Sequence, residues 1–70
     1  MQDIELKKLG NHIRKLRIER KISISALCYK NGLEPSTISR IEKGLVEPKY
    51  LTLLNIAKAF NLTLAEFLNF

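Results

Sequence analysis

The sequence predicts an all-α fold, a compact bundle of five short helices, and three observations predict it. Apolar residues recur at steps of three and four, and no stretch alternates at the period of two that a strand requires. Residues that start or stop helices, namely Ser23, Gly32, Pro35, Gly44 and Thr63, divide the chain into short segments. The 70 residues contain no repeat, low-complexity tract or flexible linker, so a single domain spanning 1–70 is expected.

The first helix is predicted from about Ile4 to Arg20, because Leu6, Leu9, Ile13 and Leu16 share one face while the opposite face is basic. Ser23 is a good N-cap for a second helix ending near Lys30, after which Asn31 and Gly32 form a turn. Two helices that cross steeply need a small residue near the crossing, a turn residue free to take positive φ, and apolar contacts beyond it. Cys28, Gly32 and the Ile38/Ile41 pair supply these in order. Pro35 suits the first position of the third helix, where its missing N–H would have had no partner. Gly44 is expected to end that helix as a left-handed cap, and Leu45 to Pro48 form a loop. Tyr50, Leu53, Leu54, Ala57 and Phe60 make the apolar face of a fourth helix that Asn61 terminates. Thr63-Leu64-Ala65-Glu66 reads as a capping box opening a fifth helix, which carries Phe67, Leu68 and Phe70.

The net charge is +5, and the surplus is unevenly placed. Residues 1–49 hold eleven Lys and Arg against six acids, whereas the remainder holds one of each sign. A positive surface attracts polyphosphate and makes affinity depend on salt. No apolar run approaches the roughly 18 residues of a membrane span, and no apolar segment follows a basic N-terminus, so no membrane partner and a cytoplasmic location are expected. The single cysteine, Cys28, cannot form an internal disulfide and is expected to serve as a small packing residue. His12 is the only histidine and has no cysteine or carboxylate at ligand spacing, so no metal is expected. There is no glycine-rich phosphate loop and no nucleophile–histidine set, so neither a cofactor nor an enzyme is expected. Tyr29 and Tyr50 are too few for a base-stacking platform.

Residues 23–44, SISALCYKNGLEPSTISRIEKG, resemble the helix-turn-helix of the phage repressor and Cro family, the Xre-like group of small regulators. The likeness extends to IRKLRIERKIS before the motif and LTLLNIAKAFNLTLAEFL after it, and STISRIE with the following glycine is its most specific part. The resemblance implies a lambda-repressor-like DNA-binding domain with its helix-turn-helix at about 23–43, whose second helix enters the major groove of double-stranded DNA. It assigns base reading to Pro35, Ser36 and Arg40, with Arg40 the strongest through a bidentate bond to guanine. It assigns backbone contacts to Ser23, the main chain at Ile24, Thr37, Ser39, Lys43 and Lys49. It also pairs Arg17 with Glu42 as a brace between the first and third helices. Several residues depart from the family's pattern. Pro35 offers only apolar contact, Ile24 stands where a phosphate-gripping glutamine is frequent, Asn31 replaces a small apolar residue, and Glu34 replaces the usual Ser or Thr cap. Val46 and Glu47 occupy a loop that is often basic, where Glu47 is expected to repel phosphate.

A domain of this size buries only about 60% of its unfolded surface and gains from oligomerising. Leu51, Ile56 and Leu64 fall outside or at the margin of the apolar faces above, a fully exposed aromatic at the last residue, Phe70, would be wasteful, and the four are expected to form a two-fold homodimer interface. Two copies of the third helix would then meet half-sites roughly 34 Å apart on a palindromic operator. The expected function is therefore that of a sequence-specific transcriptional regulator. The alternative from another class is a protein-interaction module, such as an antitoxin or adaptor with a protein partner and secondary DNA binding.

Overall fold

Asp3 starts the first helix by accepting hydrogen bonds from the Glu5 and Leu6 amides at 2.8 and 3.4 Å, which satisfies two of the donors a helix leaves free at its N-terminus. In the computed structural model, which describes residues 3–70, five helices follow in order: α1 Ile4–Glu19, α2 Ile24–Cys28, α3 Pro35–Glu42, α4 Tyr50–Ala59 and α5 Leu64–Phe67. No strand occurs among the described residues. Ser23 caps α2 through its hydroxyl, which accepts from the Ala26 amide at 3.0 Å. Thr63 and Glu66 form the reciprocal capping box on α5, each side chain accepting from the other's amide at 3.1 and 2.8 Å. The hydrogen bond from the Thr63 amide, with the Thr63 side chain second, holds the Glu66 carboxyl below the usual glutamate range.

The turns depend on left-handed residues. Gly32 and Gly44 take φ of 66° and 73°, as the steric argument requires, and Asn61 takes 61° at the end of α4. The end of α2 differs from expectation, since the helix stops at Cys28 and Lys30 turns to φ 61°. Asn31 explains the early stop: its side-chain amide donates to the carbonyls of Leu27 and Tyr29 at 2.8 and 3.0 Å, occupying acceptors that further helical turns would have used.

The core joins Ile13 of α1, Leu27 and Cys28 of α2, Ile38 and Ile41 of α3, Ile56 and Ala57 of α4 with Phe60 at its C-cap, and Phe67 of α5. Truncating any of its large aliphatic members costs about 2–5 kcal/mol, against a total stability of about 5–15 kcal/mol for a domain. Two expectations are corrected here. Ile56 is fully buried and belongs to the core, not to a dimer surface, while Tyr50 is 63% exposed. The buried face of α4 runs Leu53, Ile56, Ala57 and Phe60. Seven of the ten α4 residues are apolar or aromatic, so the pattern had too little polar contrast to fix which stripe faces inward.

Gly10 sets how closely α1 and α3 approach. A Cβ at this position would lie 2.5 Å from the Glu42 carbonyl oxygen and would overlap the Ile41 carbonyl as well. On the other side of α1, the Nε2–H of His12 donates to the Phe67 carbonyl at 2.6 Å. Its ring stacks on Phe70 with centroids 4.1 Å apart. These two contacts fix the C-terminal segment against the first helix.

Candidate nucleic-acid interface

Helix α3 is held by its back. Ile38 and Ile41 are buried, and Glu42 receives two hydrogen bonds from Arg17, Nε to Oε2 at 2.8 Å and Nη2 to Oε1 at 3.1 Å. The remaining guanidinium nitrogen, Nη1, donates to the Ile22 carbonyl at 3.0 Å. Only 16% of the Arg17 side chain and 7% of the Glu42 side chain are exposed, so the pair is shielded from competing water. The hydrogen bonds to Glu42 raise the Arg17 pKa above its usual value despite the opposing effect of burial. Burial, with the Glu42 charge second, pushes the Cys28 thiol up, which leaves it a packing group.

The front of α3 carries Ser36 and Arg40, with Lys43 at its C-cap, all exposed and spaced i, i+4 and i+7 on one face. Pro35 is exposed at the helix start, and Glu34, the N-cap, makes no side-chain bond to the free amides. Thr37 and Ser39 flank this face and are half-buried. Among the described residues only Lys8 with Glu5 and Arg17 with Glu42 form ion pairs, so Arg40, Lys43 and Lys49 keep their charge for an outside partner. Lys49 is exposed and caps α4 without a side-chain bond. The Ser23 hydroxyl is exposed, whereas the Ile24 side chain packs against the core and leaves only its main chain to face outward.

Between α3 and the loop to α4 lies a groove of about 350 Å³, lined by Thr37, Arg40, Val46, Glu47, Lys49 and Thr52 among others. Sequence reasoning treated Arg40 and the loop separately and missed that they share this groove. It also missed Gly10, whose isolated position within a helical pattern was the available signal, because glycine there costs about 1 kcal/mol relative to alanine unless packing requires it.

The expected dimer residues divide three ways. Leu51 and Phe70 are 69% and 58% exposed, Leu64 is half-buried against the core, and Ile56 is fully buried. Of the four, Leu51 and Phe70 therefore present most of their surface. No helix among the described residues is long and apolar enough to cross a membrane. No group of three or more possible metal-ligating side chains occurs among them either.

A helix-turn-helix family model, HTH_3, matches residues 13–67. No curated protein sequence matches the chain. Among solved structures, the chain is similar to the restriction-modification controller protein C.AhdI from Aeromonas hydrophila, with 26% identity over 93% of this chain and 98% of that one and a TM-score of 0.87. It is similar to the restriction-modification controller protein C.Esp1396I, solved as a tetramer with its natural 35 base-pair operator, with 27% identity, 94% and 87% coverage and a TM-score of 0.85. It also resembles part of the competence regulator ComR from Streptococcus vestibularis, at 29% identity and a TM-score of 0.84, covering 91% of this chain and 22% of that one.

Proposed function

The chain belongs to the HTH_3 family of helix-turn-helix proteins, and from this premise we propose that it is a sequence-specific, double-stranded DNA-binding transcriptional regulator that occupies a palindromic operator as a homodimer. One observation carries the reading: α3 presents Ser36, Arg40 and Lys43 outward while its opposite side is fixed by Ile38, Ile41 and the Arg17–Glu42 pair. A reading helix must be both exposed and rigidly held, because base discrimination depends on hydrogen bonds that fail when donor and acceptor are misplaced. In this reading Arg40 bonds guanine, Ser36 and Pro35 meet neighbouring bases, and Ser23, the Ile24 main chain, Thr37, Ser39, Lys43 and Lys49 contact phosphates.

The likeness to a controller protein that meets its operator as a tetramer supports DNA as the ligand and assembly of copies of the chain upon it. The chain would act in the cytoplasm by occupancy of DNA and not by catalysis. Selection of bound fragments from a random duplex pool, followed by footprinting of the enriched sequence, tests the proposal. Recovery of one two-fold symmetric site supports it. A pool that stays random after repeated selection contradicts it.

A further inference from the structure

We propose that Glu47 is a second base-reading residue, its carboxylate accepting a hydrogen bond from a cytosine amino group near the base pair that Arg40 reads. The inference rests on the function proposed above, with α3 in the major groove.

A carboxylate in this loop is unexpected if the loop only touches phosphate, yet its placement is well defined. Val46 packs against the core and Pro48 is half-buried, while Glu47 between them is exposed. The Gly44 and Leu45 amides donate to the Ile41 and Arg40 carbonyls, both at 3.0 Å, and so tie the start of the loop to the end of α3. Pro48 also restricts the backbone of the residue before it to extended conformations. Glu47 thus leaves an anchored loop in a limited range of directions, and it lines the same groove as Arg40. Among the described residues it pairs with neither Arg40 nor Lys49. Its charge is not absorbed by the nearest cations of the site.

The ligand follows from the chemistry of the base edges. An ionised carboxylate only accepts hydrogen bonds. In the major groove guanine offers two acceptors, thymine an acceptor and a methyl group, adenine an acceptor beside a donor, and cytosine a donor alone. Cytosine is therefore the one edge that attracts this carboxylate without also repelling it. Every other base, and phosphate, leaves Glu47 repelled or stripped of water without a partner, so the residue selects largely by penalising wrong sequences.

The test is selection from a randomised duplex library with the full-length wild type, Glu47→Gln and Glu47→Ala, at one salt concentration and with folding of each checked by circular dichroism. Glutamine can pair with adenine through N6 and N7, so Glu47→Gln should move the preference from cytosine to adenine at one position of each half-site, by roughly five- to hundred-fold. Glu47→Ala should lose preference at that position alone, leaving the position governed by Arg40 unchanged. If both variants bind every duplex more tightly and keep the wild-type preferences, Glu47 merely repels phosphate and the inference is overturned. A wild type without preference at any position would instead overturn the proposed function, and this inference with it.

Discussion

Arg17 and Glu42 meet through two parallel hydrogen bonds of 2.8 and 3.1 Å across the junction of α1 and α3, with a third bond from Arg17 to the Ile22 carbonyl. The guanidinium therefore fixes the end of α3 and the chain leading to α2 at the same time. Removing one partner of a shielded pair costs more than the pair itself contributes, because the other charge stays buried. Glu42→Ala is expected to destabilise the fold by about 3 kcal/mol, the lower end of the buried-pair range since Arg17 keeps some solvent access. Urea denaturation measures it. A loss below about 1 kcal/mol would place the pair with exposed ones.

Gly10 offers a test of the same junction without a change of charge. A methyl group there meets backbone, not a flexible side chain, so α1 and α3 must separate. Gly10→Ala should lower stability by about 1–3 kcal/mol, as overpacking does, although alanine favours an isolated helix. An unchanged or raised melting temperature would show that the contact yields freely.

Arg40 and Lys43 share the exposed face of α3 but should behave differently. Arg40→Ala should relax preference at one position of each half-site, at a cost of about 1–3 kcal/mol on the correct base. Lys43→Ala should weaken all sequences alike and reduce the salt slope by about 1. Binding to a panel of single-base operator variants separates the two. Uniform loss in both would remove Arg40 from base reading.

Dimerisation can be tested at Leu51, which is exposed and can be changed without opening the core. Leu51→Lys should shift sedimentation towards the monomer and lower operator affinity through mass action. Lysine is the stricter substitution, since added positive charge alone favours DNA. A variant that dimerises like the wild type would exclude Leu51 from the interface.

The fold was legible wherever one residue type had a single steric solution. Gly32, Gly44, Pro35 and the Thr63–Glu66 box each marked a boundary that the structure repeats. It was less legible where competing residues shared a role. The stop of α2 depends on the Asn31 amide reaching back to two carbonyls, a contact that no helix propensity encodes. On α4 the abundance of apolar residues hides which stripe is buried, and Ile56 faces inward and Tyr50 outward against expectation. Within the candidate site, the face of Ser36, Arg40 and Lys43 follows from helical spacing alone. The groove that Arg40 shares with Glu47 depends on how the loop folds back on α3, which spacing does not specify.

Specific recognition of duplex DNA is decided by competition binding at a fixed, stated salt concentration. A labelled operator obtained by selection would be challenged with unlabelled operator and with random duplex of equal length. The operator should compete at least roughly a thousand-fold better, the lower end of specificity ratios for such proteins, and log affinity for both should fall linearly with log salt. Equal competition by the two duplexes would contradict specific recognition.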